Sequence, residues 1–355
     1  MNYQERITAC LLLFALVFFS RPALAEESFS YNVLPYAFYD SSIGTMFGLF
    51  GASSNLFQRG ELVNAYFNFV DSGAREINLA GAFPSKERRY DPIKVPLAID
   101  AELSVGTAVD DRFYGLGMGT PDKNYSSYNN DYANLRLYLT KPVTKELRLG
   151  VKLHASNNSL FKINNQLNPI TADLENTLRQ YYVASFFLKG ESFNNLLNPT
   201  ESWSLSCSLD LGSSSADFVR WKGEAARTLP LPYPGQAIAG RLSLSQLSGK
   251  AIPLYEYATL GGRDNLRGYP WYRFRGLGSS MVNLEYRFPI FWAIGGVLLF
   301  DSGRVYDRAG MFALNSWATD YGFGVRLYLP TMTLRADYSI GNEGGFVTFY
   351  YNHAF

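Results

Sequence analysis

The sequence predicts an all-β fold: a 16-stranded antiparallel transmembrane β-barrel with one long extracellular loop folded inward. Three observations predict it. Apolar and polar residues alternate along segments of roughly 9–12 residues, which is a strand period. These segments number sixteen, an even number as in bacterial barrels. No apolar run after residue 25 reaches the ~18 residues that a membrane helix needs.

The first 25 residues predict an export signal. Arg6 supplies positive charge, residues 10–19 form an unbroken apolar run, and residues 23–25 (Ala-Leu-Ala) fit a small-residue cleavage site. An apolar run this short does not span a bilayer. We therefore predict a signal peptide over residues 1–25 and a barrel over residues 26–355, in the outer membrane of a Gram-negative bacterium.

Charge and cysteine content exclude several other classes. Removing the signal peptide takes away Arg6, Arg21 and Glu5, so the formal net charge falls from +1 to zero and nothing attracts nucleic acid. Cys207 is then the one remaining cysteine, and no intrachain disulfide can form. One Cys and two His make no metal cluster, so we predict neither a metal nor a cofactor.

Alternation decides which face of each strand meets water. In residues 321–329 (YGFGVRLYL) one face is wholly apolar, while Arg326 lies on the other. Residues 334–340 (LRADYSI) alternate in the same way, with Arg335 and Asp337 on the second face. Soluble strands usually have 5–6 residues, whereas these have the length that a tilted strand needs to cross a bilayer. The pattern is typical of a barrel with an apolar exterior and a polar lumen.

The predicted strands are joined by connections of two lengths. The strands cover approximately residues 33–40, 45–56, 60–71, 75–85, 96–109, 131–141, 145–155, 179–190, 201–212, 216–227, 237–248, 279–289, 293–305, 317–329, 332–340 and 346–355. With both termini in the periplasm, the long connections at residues 110–130, 156–178 and 249–278 lie on the extracellular side. Short turns lie on the periplasmic side.

The longest connection, residues 249–278, follows the eleventh predicted strand. A structureless loop of about 30 residues is uncommon in a compact protein and usually has a function. It contains Arg267 beside Gly268, and Glu285 and Asp301 lie on the polar face of the next two strands. These residues predict a loop that folds into the lumen and is held there.

Five short elements occur in an order that is typical of one known family. They are Gly261-Gly262 followed by Leu266-Arg267-Gly268-Tyr269, and residues 112–117 (RFYGLG), 198–200 (NPT), 283–287 (NLEYR) and 299–303 (LFDSG). Together they resemble the BamA/TamA superfamily of the bacterial surface antigen type, from about residue 31 to the end of the chain. The resemblance implies a 16-stranded outer-membrane barrel that inserts or secretes proteins.

The resemblance also implies roles for particular residues. In the family, an arginine of the sixth extracellular loop reaches into the lumen and contacts acids on the twelfth and thirteenth strands. We therefore expect a loop–lumen lock that consists of Arg267, Gly268, Tyr269, Glu285 and Asp301. Charge-assisted bonds from a planar guanidinium would offset the entropy lost in ordering the loop. Gly268 would let the backbone turn tightly beside the wall.

The two ends of the barrel carry their own signals. Residues 346–355 (FVTFYYNHAF) resemble the C-terminal sorting signal of outer-membrane barrels, with Phe349, Tyr351 and Phe355 at alternate positions. The first predicted strand contains Pro35, which cannot donate a ladder hydrogen bond and so belongs at an edge or seam. We expect a weak seam between the first and sixteenth strands.

Family members with established assembly or secretion roles carry soluble periplasmic POTRA domains ahead of the barrel. Cleavage after Ala25 would leave about 5–7 residues before the first strand, whereas an independent domain needs roughly 50. We therefore expect a barrel-only member. Its expected partners are outer-membrane lipid, the barrel assembly machinery during its own insertion, and a periplasmic partner or a second copy of the chain.

Two other functions are compatible with the sequence. A passive porin-like diffusion channel is one, because sixteen strands are wide enough for an aqueous pore. An outer-membrane hydrolase is the other, but its candidate bases are His154 and His353, and neither has a motif partner. We predict that the chain is not an enzyme and that it is an insertion or translocation barrel.

Overall fold

Sixteen strands form one closed antiparallel barrel in the computed structural model, which confirms the predicted fold class. The structure describes residues 29–58, 60–84, 95–164, 178–195, 197–214, 217–250, 252–308, 313, 315–329, 332–351 and 355. The predicted signal peptide and His353 lie outside these residues, so the signal peptide stays a prediction. No helix in the described ranges is long and apolar enough to cross a membrane.

The strands follow one another around the wall, with one interruption. In chain order they are β1 (Ser30–Asp40), β2 (Gly44–Ser54), β3 (Leu62–Val70), β4 (Arg75–Phe83), β5 (Ala98–Phe113), β6 (Ser126–Pro142), β7 (Leu147–Asn164), β8 (Leu178–Phe193), β9 (Ser202–Ser213), β10 (Asp217–Pro230), β11 (Ala237–Gly249), β12 (Ala258–Leu260), β13 (Phe274–Gly276), β14 (Gly278–Phe291), β15 (Ile294–Tyr306), β16 (Ala318–Tyr328), β17 (Thr333–Gly341) and β18 (Gly344–Tyr351). Strands β12 and β13 pair with each other in the long loop, and β11 pairs directly with β14. The twelfth and thirteenth barrel strands are therefore β14 and β15.

Several strands extend further than the sequence predicts. Strand β5 continues to Phe113, β6 begins at Ser126 and β7 continues to Asn164, so much of the two stretches assigned to loops is strand. Residues 156–159 (SNNS) show the reason, because both of their faces are polar and carry no alternation. Ser156 and Asn158 are buried, and their side chains are hydrogen-bonded to Asn134 and to Asn130. Backbone pairing needs no apolar face where polar side chains are satisfied in this way.

Burial follows the predicted alternation where the strands are apolar on one side. In β15, Leu298 and Phe300 are exposed, whereas Leu299 and Asp301 are buried. A barrel that exposes a continuous band of large apolar side chains faces lipid with that band. The buried face, which carries the charged residues, is therefore the lumen.

Strands β1 and β18 close the barrel through a short contact, here called the seam. Among the described residues they pair at Tyr39 with Phe349 and at Asp40 with Thr348. Strand β1 pairs with β2 along all 11 of its residues. In the described chain, the part of β1 from residue 30 to residue 38 has no ladder partner on its seam side.

Candidate functional site

The loop between β11 and β14, here called the lumen loop (residues 250–277), folds back on itself as a compact unit. Its β12–β13 pair brings the two limbs together. At the tip, Gly261 and Gly262 have positive φ values of 109° and 101°, and the Gly262 N–H donates to the carbonyl oxygen of Tyr269 at 3.0 Å. Positive φ favours glycine, which explains the Gly-Gly pair at this turn.

Arg267 projects from this tip onto β14 and β15 and is 2 % exposed. Its Nε and Nη2 donate to the two carboxylate oxygens of Asp301 at 2.7 and 2.8 Å, and its Nη1 donates to Glu285 Oε1 at 2.5 Å. Burial alone would lower the pKa of Arg267, but the charges of Asp301 and Glu285 raise it well above its ordinary value. The guanidinium therefore stays charged and binds one carboxylate in bidentate fashion.

Gly268 and Tyr269, which follow Arg267, lie against the next two strands of the wall, β16 and β17. A Cβ atom on Gly268 would lie 2.4 Å from Cβ of Asp320 and 2.7 Å from the backbone nitrogen of Gly341. The Tyr269 hydroxyl donates to the carbonyl oxygen of Thr319 at 3.3 Å. The structure thus brings the five residues of the expected loop–lumen lock into one buried cluster, and their role in holding the loop stays a proposal.

Other polar and charged side chains surround this cluster and were not predicted as part of it. Arg287 Nε donates to Glu285 Oε2 at 2.8 Å, and Asn283 Nδ2 donates to Asp301 Oδ1 at 2.7 Å. Residues 283, 285 and 287 alternate along one strand, so their side chains must share a face. From this spacing, the sequence could have predicted that Asn283 and Arg287 lie beside Glu285. The added partners matter because a buried charge is costly unless it is paired and hydrogen-bonded.

The lumen loop contacts the wall at further charged sites, including those of Arg220 and Arg273. Arg220 of β10 lies between Asp210 (2.7 Å) and Glu256 of the loop (2.6 Å). Arg273 of the loop binds Glu343, in the turn between β17 and β18, at 2.7 Å. Along the wall, these two contacts lie on either side of β14 and β15, where Arg267 is bound, so the loop is attached to the wall on both sides of its tip.

The three residues of the expected sorting signal lie in different surroundings. Phe349 is exposed on the outer face, and Tyr351 is half-buried. The ring of Phe355 lies 4.9 Å from the guanidinium carbon of Arg241 and 5.6 Å from that of Arg287, both of which face the lumen. The three therefore do not share one face, as alternate positions of a regular strand would, and the sorting role stays a prediction.

The fold and its charged lumen define a class of protein: closed 16-stranded barrels with a long loop packed against the inner wall. Residues 55–352 match the Omp85 superfamily domain, and the chain belongs to the Omp85 superfamily. This membership confirms the resemblance drawn from the sequence motifs. A comparison with curated protein sequences gives no match.

Solved structures of two kinds resemble this chain. BamA from Haemophilus ducreyi lacking POTRA domains 1-3 aligns with a TM-score of 0.69 and 13% identity, over 97% of this chain and 77% of that one. CdiB from Acinetobacter baumannii aligns with a TM-score of 0.61 and 15% identity, over 92% of this chain and 60% of that one. CdiB from Escherichia coli aligns with a TM-score of 0.58 and 11% identity, over 93% of this chain and 64% of that one. This chain thus spans less than two thirds of either CdiB chain, and the shared feature is the fold.

Proposed function

We propose that this chain is an outer-membrane barrel that inserts or translocates other proteins, with the seam as the place where a client strand pairs. The observation that carries the proposal is the short pairing of β1 with β18. Unpaired backbone groups cost several kcal/mol each in hydrocarbon. An open strand edge within a membrane protein is therefore a template for an added strand.

Aromatic contacts at the seam support this function. The ring of Phe38 lies 4.9 Å from that of Tyr350 and 5.4 Å from that of Tyr351, and Tyr39 lies 6.4 Å from Phe349. Such contacts contribute about 0.5–1.5 kcal/mol each. A seam closed largely by rings opens at lower cost than one closed by a full ladder of hydrogen bonds.

Family membership supports an outer-membrane location and a protein as cargo, and it does not favour a passive diffusion channel. The histidine environment gives no support to a hydrolase. His154 Nε2 lies 3.3 Å from Asn134 Oδ1, and its ring meets the ring of Tyr181 edge-on at 5.6 Å. Neither neighbour is a nucleophile activated by that imidazole.

Locking the seam is expected to abolish insertion. Cysteines at Tyr39 and Phe349, which are directly opposite each other, would form a disulfide across β1 and β18 in a Cys207→Ser background. Insertion of a small urea-unfolded β-barrel protein into liposomes that contain the oxidised variant should fall to the level of empty liposomes. Reductant should restore it, because the seam can then open.

A matched pair on a continuous part of the wall provides the control. Leu209 of β9 and Trp221 of β10 are also directly opposite each other, and both are exposed on the outer face. A disulfide between cysteines at these two positions should leave insertion unchanged. Full activity of the oxidised seam variant would overturn the proposed function.

A further inference from the structure

We propose that two side chains of the lumen loop hold the seam closed from inside, Trp271 on β1 and Arg263 on β18. These two residues with their partners, Asp40 and Tyr350, are here called the seam clasp. The inference rests on the proposed function in one respect, namely that the seam is the site at which a client strand enters. The clasp would then regulate that entry.

The first half of the clasp is a hydrogen bond to a buried carboxylate. Trp271 Nε1 donates to Asp40 Oδ2 at 2.9 Å, at the end of β1 where the seam is paired. Asp40 is buried, and its Oδ1 accepts the backbone N–H and the hydroxyl of Ser42 at 2.8 and 2.6 Å. Both carboxylate oxygens are therefore used, and the indole supplies the bond that comes from the loop.

The second half is a guanidinium held between two rings. The Cζ atom of Arg263 lies 3.4 Å from the ring centroid of Tyr350 on β18 and 4.8 Å from that of Trp271. A cation over two aromatic faces is attracted to both, most strongly where water is excluded. A continuous path of contacts thus runs from Asp40 through Trp271 and Arg263 to Tyr350, and it joins the two seam strands without a ladder hydrogen bond.

The surrounding loop keeps the clasp in position. Arg267 fixes the tip on β14 and β15, and Arg273 fixes the following limb on Glu343. Trp271 lies between these two anchors, against the backbone of Gly262, where an added Cβ would be 2.9 Å from the indole. Because the loop is fixed to the wall, separating β1 from β18 must break the indole bond to Asp40 or pull Tyr350 away from Arg263.

Hydrogen exchange at the seam tests this directly. Trp271→Phe keeps an aromatic ring for Arg263 and removes the N–H donor to Asp40. In lipid nanodiscs, exchange of the seam amides from Tyr39 to Ser41 should accelerate roughly ten-fold, the size expected for losing one hydrogen bond to a buried charged group. Mass spectrometry of the peptides that cover β1 and β18 gives the rates.

A second tryptophan provides the matched control. Trp317 Nε1 donates to the carbonyl oxygen of Ala313 at 3.1 Å, away from the seam. Trp317→Phe should leave exchange at the seam unchanged, whereas Arg263→Ala, which removes the cation between the rings, should accelerate it as Trp271→Phe does. Seam exchange at the control rate in both clasp variants would overturn the inference. An acceleration that extends equally to β5–β8 would also overturn it, since it would reflect general destabilisation.

Different experimental results would contradict the seam clasp and the proposed function. Normal insertion by the barrel with a disulfide across the seam would overturn the function and leave the exchange result standing. Unchanged exchange in Trp271→Phe and Arg263→Ala would overturn the clasp and leave the insertion result standing. If both hold, the two clasp variants should also insert the unfolded β-barrel protein faster than the unmodified chain.

Discussion

Arg267→Ala is expected to destabilise the barrel by about 3–5 kcal/mol, because it removes the charge that compensates two buried carboxylates. Asp301 loses a bidentate partner and Glu285 loses one neighbouring arginine, while Arg287 stays beside Glu285 at 2.8 Å and Arg326 at 3.9 Å. The larger share of the loss therefore falls on Asp301. Urea unfolding in lipid vesicles, followed by tryptophan fluorescence, measures the change in the free energy of unfolding.

A lumen ion pair that water reaches is the appropriate control. Arg136 Nη1 lies 3.0 Å from Glu102 Oε1, with both side chains 30% exposed. Exposed pairs contribute about 0–1 kcal/mol, so Arg136→Ala should shift the unfolding midpoint little. If Arg267→Ala shifts it no more than Arg136→Ala does, the cluster at Arg267 does not hold the loop.

The strand count could be predicted because lipid imposes a visible pattern. Each strand that crosses the membrane needs one apolar face, as Leu298 and Phe300 show in β15. In the sequence, this requirement appears as alternation of apolar and polar residues. The pattern ends where polar side chains occupy both faces of a strand. The extension of β7 through residues 156–159 was therefore missed, although its ladder with β6 and β8 continues through them.

The candidate site could be predicted only in part, and chain separation explains the difference. Glu285 and Asp301 lie on the strands that follow the loop, where alternation and the family motifs both indicate them. Trp271 and Asp40 are 231 positions apart, and their contact depends on barrel closure and on the path of the loop through the lumen. No local period encodes that path, so neither residue drew attention in the sequence.

Gly268→Ala is expected to displace the lumen loop from the wall. The added Cβ would lie 2.4 Å from Cβ of Asp320 and 2.7 Å from the backbone nitrogen of Gly341, and neither atom is the free end of a flexible side chain. Overpacking typically costs about 1–3 kcal/mol. Here the shift also moves the adjacent Arg267, so the loss should approach that of Arg267→Ala. Urea unfolding measures it, and trypsin added from outside should begin to cleave at the loop arginines.

A glycine in another extracellular loop provides the control, because it shows what a glycine-to-alanine substitution does where there is no close contact. A Cβ on Gly119 would meet nothing within 4 Å, so Gly119→Ala should leave stability and trypsin resistance unchanged. If Gly268→Ala acts by withdrawing Arg267, the two changes share one mechanism and should not add. The double variant should then unfold at nearly the urea concentration of Arg267→Ala alone. Full additivity would show that the close approach at Gly268 and the charge cluster at Arg267 stabilise the barrel independently.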